Sequence, residues 1–303
     1  MQPTSKWRDK LLAAGYPLVG SVDYSLAEPL YQEHAKRYQA WIQKGSHGSM
    51  EYLKRGLDRR LNPKLVFPEL KSVIVVAKPY PAQPVTKNGL SYARYLNGPD
   101  YHETMKRELG EAFQDETFAY KICVDTSAVL ERTWAALTGI GWIGKNTLLI
   151  HPQFGSYLFI GVIFTDLEGE PPPLLHKDYC GPCTRCITAC PTQALEPHDL
   201  ESRRCISYLT LEERGDWKER FATRGFLAGC DLCQEACPYN TKADRRATSD
   251  SIEEHLLLEP ELLLNESEVA YRARVKDSAL SRVKFADFKR NLSAAFPSGV
   301  RKK

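Results

Sequence analysis

The chain has 303 residues, 43% of them hydrophobic, which is enough to bury a large core and excludes a fibrous or largely disordered protein. Its longest apolar runs fall short of the ~20 residues that a transmembrane helix needs, and its polar start lacks a signal-peptide core. We therefore expect a cytoplasmic protein with no membrane partner. The formal net charge of +3 is too small to indicate a class of partner.

Residues 1–167 mix helical stretches with short runs of strand-forming residues. Three runs are rich in β-branched and aromatic residues and predict strands at Ser72–Ala77, Phe118–Val124 and Tyr157–Thr165. The stretch Ala128–Leu137 has the spacing of a helix between the second and third strands. The pattern predicts a domain of the α/β (α+β) class.

Two groups of polar residues in this region could transfer protons. The segment NGPDYH contains Asp100, Tyr101 and His102, although these residues could simply form a turn. Asp125 follows the predicted strand Phe118–Val124, and strand ends of α/β sheets are where ligands usually bind. Capping of the next helix would explain Asp125 equally well.

The segment Gly139–Asn146 reads GIGWIGKN and nearly matches a phosphate-binding P-loop. Asn146 stands where that motif needs Ser or Thr for magnesium, and a helix rather than a strand precedes it, so nucleotide hydrolysis is not expected. The glycines permit close approach of a large ligand, and Lys145 and Asn146 offer polar groups for amides or phosphate. We expect a loop that contacts a cofactor.

Composition changes after residue 167, where Gly and Pro predict a domain boundary. Residues 168–245 hold the cysteine-rich region, and residues 246–303 read as a helical segment. Within that segment, Asp250–Glu268 has seven carboxylates and no Lys or Arg, whereas Tyr271–Lys303 has ten Lys or Arg. This polarity indicates either a nucleic-acid contact or a solvated helical face with a basic tail.

Eight of the nine cysteines are spaced as cluster ligands. The segment CGPCTRCITACP has the spacing of the ferredoxin run, in which three thiolates hold one cubane and the fourth reaches a second cluster. The segment CDLCQEACP is a partner run that has Leu227 in place of one ligand, and Cys205 is the natural replacement. The first cluster is assigned Cys180, Cys183, Cys186 and Cys237, and the second is assigned Cys190, Cys205, Cys230 and Cys233.

Zinc is the alternative for these cysteines, because paired Cys-x2-Cys motifs also form tetrahedral zinc sites. Four closely spaced cysteines followed by proline fit a cubane and its neighbour better. Without an export signal, disulfides are not expected. Cys123 lies in a predicted strand, where we expect a small buried side chain and no functional role.

With GPDYH, VDTSAVLER, GIGWIGKN and both cysteine runs in this order, the sequence resembles the epoxyqueuosine reductases, cobalamin-dependent enzymes of the last step of tRNA queuosine synthesis. The resemblance covers roughly residues 10–240. It implies a cobalamin-binding domain at 1–167, related to reductive dehalogenases, and a ferredoxin-like domain with two 4Fe-4S clusters at 168–245. Family members often continue into HEAT-like repeats, so here the basic tail would have to contact tRNA.

The resemblance also implies roles for single residues. Asp125 would protonate the opening epoxide oxygen, assisted by Asp100, Tyr101 and His102, and Arg132 would position the substrate or the acid. The remaining residues that would bind substrate or contact the corrin are Tyr95, Trp142, Lys145 and Asn146. Candidates for contacts to tRNA are Lys54, Arg55, Arg59, Arg60, Lys284, Lys289 and Arg290.

The implied reaction is reduction of epoxyqueuosine to queuosine at the wobble position of tRNA, with an external electron donor and a monomeric enzyme. One alternative is a cobalamin- or flavin-dependent reductase of a small molecule. Two others are an eight-iron electron carrier and an RNA-binding protein with structural clusters. The clusters follow from the cysteine spacing, whereas cobalamin follows from the resemblance alone.

Overall fold

The computed structural model describes residues 3–217, 222–241, 243, 256 and 258–295. The helices are α1 (Pro3–Ala13), α2 (Tyr24–Gln43), α3 (Glu51–Arg55), α4 (Leu57–Leu61), α5 (Tyr101–Phe113), α6 (Glu131–Leu137), α7 (Arg185–Ala189), α8 (Ile206–Leu211), α9 (Leu232–Glu235), α10 (Pro238–Thr241), α11 (Pro260–Asn265), α12 (Glu268–Val275) and α13 (Phe285–Ala295). The strands are β1 (Leu18–Asp23), β2 (Ser72–Pro79), β3 (Val85–Lys87), β4 (Leu90–Tyr92), β5 (Tyr120–Cys123), β6 (Trp142–Ile143), β7 (Leu149–Ile150), β8 (Leu158–Thr165), β9 (Leu195–Glu196), β10 (Asp199–Leu200) and β11 (Phe226–Ala228). Parts of the predicted acidic stretch and of the basic tail lie outside the described residues.

A four-stranded antiparallel sheet in the order β1-β2-β8-β5 organises the N-terminal part. The three predicted strands are confirmed as β2, β5 and β8. Alternate side chains of β2 enter different cores: Val73 packs in the core that contains Trp134, and Ile74 packs in the core that contains Met105. Helices α2 and α6 cover one face and α1 and α5 the other, which explains why β2 reads as a continuous apolar run.

The structure differs from two expectations about Asp125, that it follows a strand of a parallel sheet and that it caps a helix. Because its strands are antiparallel, the rule for ligands at the ends of parallel strands does not apply to it. The chain makes a tight turn at Asp125 (φ 54°), so the predicted helix Ala128–Leu137 begins only at Glu131. The N-cap position of α6 is Leu130, whose side chain makes no capping bond. The interpretation of Asp125 as a helix cap is therefore wrong.

A second, three-stranded sheet joins the regions that the sequence distinguishes. Strand β11, from the cysteine-rich region, pairs in parallel with β4, and β4 pairs antiparallel with β3. Helices α12 and α13 pack on this sheet through Tyr271, Phe288 and Leu292, which share a core with Tyr92 and Leu227. The predicted helical character of the C-terminal segment is confirmed for its described residues. Its core is continuous with that of the other two regions.

Short elements carry the cysteine runs. Cys186 lies in α7 and Cys233 in α9, and these two helices contact each other. All nine cysteines are free thiols, so none is used in a disulfide. In the part of the chain that the structure describes, no helix has the length and apolarity that crossing a membrane requires.

Candidate active site

His102 links two carboxylates that are distant in sequence. Asp100 is the N-cap of α5, and its side chain accepts a hydrogen bond from the His102 backbone N–H at 2.9 Å. The same carboxylate lies 2.5 Å from His102 Nδ1, while Asp125 Oδ2 lies 2.8 Å from His102 Nε2. The imidazole is 3% exposed and the Asp125 side chain 59% exposed. The predicted group at Asp100–His102 and the predicted acid Asp125 therefore form one site.

Proton counting constrains this site. Each of the two hydrogen bonds of the ring needs one proton, so the two carboxylates and the imidazole share two protons between them. They form either an imidazolium between two carboxylates or a neutral imidazole beside one carboxylic acid, and the net charge is −1 in both cases. Burial raises the pKa of Asp125, but the hydrogen bond and charge of His102, together with Arg282 and Arg132, outweigh burial. The pKa of Asp125 therefore lies below its ordinary value.

The backbone at Asp125 is constrained as well. The Thr126 N–H donates to the Val124 carbonyl oxygen at 2.5 Å, which closes a tight turn around Asp125. Its φ of 54° is left-handed, a conformation that is uncommon for residues with a side chain but accessible to Asp. Such conformations occur preferentially where a side chain must be held for function. The turn leaves the Asp125 carboxylate exposed in the clefts that it lines.

Glu131, to which the sequence reasoning gave no role, lies at the start of α6 in the same site. Its Oε1 is buried and has no hydrogen-bond partner within the described residues. Burial, with a smaller contribution from the negative charge of Asp125, raises the pKa of Glu131 to about 8. The side chain is therefore neutral at pH 7. Its position six residues after Asp125 was the only signal in the sequence.

Two clefts meet at Asp125. The tyrosine cleft has a volume of about 640 Å³ and is lined by Tyr52, Arg60, Tyr95, Tyr101, His102, Asp125 and Arg282, among others. The helix cleft lies against α2 and α6, has a volume of about 750 Å³ and is lined by Arg37, Tyr38, Tyr52, Arg60, Asp125, Glu131 and Arg132, among others. In the tyrosine cleft, Tyr101 stacks on Phe159 with ring centroids 4.2 Å apart and meets Tyr95 edge-on at 6.1 Å. These aromatic walls suit a planar ligand.

A third cavity, the thiol cavity, has a volume of about 310 Å³ and lies beside both clefts. All four cysteines assigned to the second cluster line it, namely Cys190, Cys205, Cys230 and Cys233. It shares Tyr95 with the tyrosine cleft and Arg132 with the helix cleft. Asn146 also lines it, with a buried Nδ2 that has no partner among the described residues. The structure thus joins the second cysteine group to the Asp125 site.

The first cysteine group lies under the GIGWIGKN loop. Trp142 and Ile150 pack on Cys237, with Cys180 at the edge of the same apolar cluster. Burial raises the pKa of Cys186, with smaller contributions from the negative charges of Cys180, Cys237 and Cys183.

Three residues of that loop were predicted to contact the corrin, and the structure places them as follows. The Lys145 ammonium donates to the carbonyl oxygens of Gly181 at 2.5 Å and Cys183 at 3.1 Å. Trp142 packs beside Cys237 and lines the helix cleft. Asn146 lines the thiol cavity.

The described thiols are not arranged as ligands around a single metal ion. Within the described ranges, no three His, Cys, Asp or Glu side chains converge closely enough to hold one metal ion. The thiolates of a cubane bind at its corners and stand further apart than the four ligands of one zinc ion.

The basic residues proposed to contact tRNA fall into different classes. Lys54, Arg55, Arg59 and Lys284 are exposed. Lys289 instead donates to the Leu263 and Leu264 carbonyl oxygens. Arg290 donates to the carbonyl oxygens of residues 209, 213 and 215. These last two cations stabilise the C-terminal packing and are not free for RNA. Arg60 is buried.

The two groups of thiols beside a proton-transfer site define an iron–sulfur oxidoreductase. Residues 179–240 match the family described as a 4Fe-4S double cluster binding domain, and residues 60–126 match the family described as epoxyqueuosine reductase QueG, DUF1730. An epoxyqueuosine reductase of Gloeobacter violaceus is 36% identical over 97% of this chain and 96% of its own length, and that of Leadbetterella byssophila is 34% identical over 88% and 91%. The chain belongs to the epoxyqueuosine reductase family.

Solved structures agree with this assignment. A crystal structure of epoxyqueuosine reductase with an epoxyqueuosine-modified stem loop of a tyrosine tRNA superposes with a TM-score of 0.84 at 26% identity. The Bacillus subtilis epoxyqueuosine reductase, whose catalytic aspartate loop is swung out of the active site, gives 0.83 at 25% identity. Both comparisons cover 96% of this chain and 80% of the other.

Proposed function

We propose that this protein reduces epoxyqueuosine in tRNA to queuosine, with electrons supplied through two 4Fe-4S clusters and a bound cobalamin. The observation that carries the proposal is the position of Asp125. It is held by His102 at the meeting point of two open clefts and lies beside a cavity lined by four thiols. This joins a proton donor to an electron source. The balanced change is epoxide plus two electrons and two protons to alkene plus water.

The electron path follows from the two cysteine groups. The first cluster would be held by Cys180, Cys183, Cys186 and Cys237, and the second by Cys190, Cys205, Cys230 and Cys233. The contact between α7 and α9 keeps the two groups adjacent, as electron transfer between clusters needs. The second group opens into the thiol cavity, so electrons would leave the protein on the side of Asp125.

The residues where the thiol cavity borders the two larger clefts suit a large cofactor with amide side chains. Asn146 offers an unpartnered buried amide, and Tyr95 and Arg132 add a phenol and a guanidinium at the borders with the clefts. These residues would hold the corrin between the second cluster and the substrate. When bound, cobalamin would supply the reduced cobalt that delivers electrons to the epoxide.

The protein's own contribution is the proton. Asp125 has an exposed carboxylate in the clefts and, on its other side, a hydrogen bond to His102. His102 can pass its proton to Asp125 as the epoxide oxygen develops negative charge, while Asp100 keeps the imidazole in place. The pKa of Asp125 is low at rest, so a proton stored on His102 is what makes Asp125 an acid at the moment of reaction.

The tyrosine cleft suits the modified base. Bases of single-stranded loops are recognised by stacking on aromatic side chains after they leave the helical stack. Tyr95 and Tyr101 line this cleft next to Asp125. A family neighbour was crystallised with a modified tRNA stem loop, and this supports tRNA as the substrate of this chain. A small-molecule reductase is less favoured, because the curated relatives that cover most of the chain are epoxyqueuosine reductases.

The test is turnover of a tRNA stem loop that carries epoxyqueuosine, by anaerobically reconstituted protein, with mass spectrometry of the nucleoside. Wild type should form queuosine, and Asp125→Asn should lose about 10²- to 10⁴-fold in rate, the range attributed to general acid catalysis. Iron and corrin content should stay the same in the variant. Glu111→Gln, an exposed change on α5, is the matched control.

Absence of conversion by wild type with both cofactors bound would refute the proposed reaction. Clusters without corrin binding would point to an electron carrier. Unchanged turnover by Asp125→Asn would remove Asp125 from the mechanism and leave the reaction itself standing.

A further inference from the structure

Arg60 is a buried cation that forms no ion pair with the residues that the structure describes. It lies near the end of α4 and is 7% exposed. Its Nη1 is fully buried and has no hydrogen-bond acceptor, and no ion pair of Arg60 occurs within the described ranges. An unpaired buried charge is costly, because the desolvation of the guanidinium is not offset by an opposite charge. Such a group is expected where a ligand supplies the missing anion.

The chain around Arg60 holds it in this position. The Tyr31 hydroxyl donates to the Arg60 carbonyl oxygen at 2.5 Å, which ties α4 to α2. Tyr31 is itself fully buried and stacks on Trp134, with ring centroids 4.5 Å apart. The guanidinium lies against Gly56, where an added Cβ would come within 2.4 Å of Nη1. The absence of a side chain at Gly56 therefore makes room for Arg60.

Arg60 lines the two clefts at Asp125, the helix cleft and the tyrosine cleft. The described lining of the thiol cavity, which holds the second cysteine group, does not include it. The buried hydroxyl of Tyr38, in the same helix cleft, also lacks a partner. A ligand that contacts Arg60 would thus reach Asp125 through these two clefts.

Arg60 differs from the other basic residues of its segment. Lys54, Arg55 and Arg59 are exposed and can attract RNA only through a screened, diffuse field. A guanidinium in a buried position offers directed donors that match the two free oxygens of a phosphodiester. Carboxylates of the protein itself, at Asp125 and Glu131, line the same cleft but form no ion pair with it.

We propose that Arg60 binds a phosphodiester of the substrate RNA next to the nucleotide that enters the tyrosine cleft. The inference rests on the proposed function for the identity of the RNA. Arg60 would act by fixing the position of the reacting nucleotide relative to Asp125. The guanidinium gains its missing charge partner only in the complex, so that RNA binding and placement of the reactive carbon occur together.

The test measures binding without turnover, with oxidised holoprotein, no electron donor and a tRNA anticodon stem loop that carries epoxyqueuosine. Arg60→Met keeps the apolar stem and removes the charge, and Arg59→Met is the matched control on the exposed face of the same helix. Arg60→Met should weaken binding about tenfold or more, as expected for a lost hydrogen bond to a charged group. The slope of log Kd against log salt should fall by about 0.7, the value for one phosphate of a single strand.

Gly56→Ala tests the position of the guanidinium with its charge retained, and it should weaken binding as well. The thermal midpoint of Arg60→Met without RNA should equal or exceed that of wild type, because an uncompensated charge has been removed. Cobalamin affinity should be unchanged.

Equal losses in Arg59→Met and Arg60→Met, or an unchanged salt slope, would overturn the proposal. Loss of cobalamin binding in place of RNA binding would assign Arg60 to a phosphodiester of the cofactor and also overturn it. Binding of RNA that depends on Arg60 in a protein that does not convert epoxyqueuosine would refute the proposed reaction and leave the site in place. Normal conversion of epoxyqueuosine, with RNA binding that does not depend on Arg60, would support the proposed reaction and refute the proposed role of Arg60.

Discussion

At the residue scale, the site depends on charges that are only partly compensated. Asp125 is kept ionised by His102, Glu131 is kept neutral by burial, and Arg60 is buried without a partner. Of these three states, the buried charge of Arg60 is the one that is unfavourable in the isolated protein and that an anionic ligand would compensate. Perturbed groups that converge on a cleft are the usual mark of a functional site.

Glu131 gives a prediction about pH. Its pKa is about 8 in the folded protein against 4.5 as a reference, so between these values the folded state binds a proton that the unfolded state has lost. Stability from this group therefore falls as pH rises from 4.5 to 8. Glu131→Gln removes this titration, and its thermal midpoint relative to wild type should increase between pH 5 and pH 8. Parallel curves for the two proteins, with Glu111→Gln as the exposed control, would contradict a raised pKa.

Cysteine variants test the ligand assignment. Cys205→Ser removes a proposed ligand of the second cluster, and the iron content should fall from roughly eight to roughly four per chain. Cys123→Ser, at a fully buried thiol in β5, is the control and should keep its iron. Iron content and the electron paramagnetic resonance of the reduced protein measure the outcome. Full iron content in Cys205→Ser would show that another residue completes the second cluster.

At the scale of elements, the GIGWIGKN loop is a tight hairpin of β6 and β7 rather than a phosphate-binding loop. Its backbone comes so close to β7 that a Cβ at Gly141 would lie 2.2 Å from the Ile150 carbonyl oxygen. This packing places Trp142 and Lys145 on the first cysteine group and Asn146 in the thiol cavity. One short hairpin thus contacts both cysteine groups.

Substitution of single glycines tests this packing. Gly141→Ala should destabilise the protein by about 1–3 kcal/mol, because the added methyl meets backbone that cannot move freely. Gly110→Ala, in α5 with open space around its Cβ position, should be neutral or stabilise by about 0.5–1 kcal/mol. Denaturant unfolding under anaerobic conditions gives both values. If both variants changed the free energy of unfolding in the same direction, the close approach of backbone at Gly141 would not explain the effect.

At the scale of the whole molecule, the C-terminal helix supports the second cysteine group. The Asn291 side chain is fully buried and donates to the Thr210 carbonyl oxygen at 2.7 Å and the Leu227 carbonyl oxygen at 2.9 Å. Thr210 lies in α8, which begins directly after Cys205, and Leu227 lies in β11, just before Cys230. The side chain of Asn291 in α13 therefore connects the segment that follows Cys205 with the segment that precedes Cys230.

Asn291→Ala should leave two buried carbonyl oxygens without donors and cost about 1–3 kcal/mol of unfolding free energy for each group that stays unsatisfied. The second cluster should also be lost faster to a chelator. Ser293→Ala, two residues further along on the exposed face of α13, should behave as wild type. If both variants lose iron at the wild-type rate, the C-terminal helix does not stabilise the second cluster.

The sequence by itself determined the double-cluster domain and the main strands. Thiolate spacing is set by the size of a cubane, and a buried strand must be apolar, so a short stretch of sequence is enough to predict each. Cys205 was proposed as the missing ligand because it is the cysteine left near the incomplete run.

Only the tertiary structure decided which charges meet. The hydrogen bond between His102 and Asp125 joins residues 23 positions apart. The sheet next to Asp125 is antiparallel, so the tendency of ligands to bind at the ends of parallel strands does not account for this site. The Lys145 ammonium binds carbonyl oxygens of the first cysteine run, and the Lys289 ammonium binds carbonyl oxygens within the C-terminal segment. Of the basic residues Lys54, Arg55, Arg59 and Arg60, Arg60 is the buried one. Burial and pairing depend on what distant segments bring to the same place, and no local pattern records that.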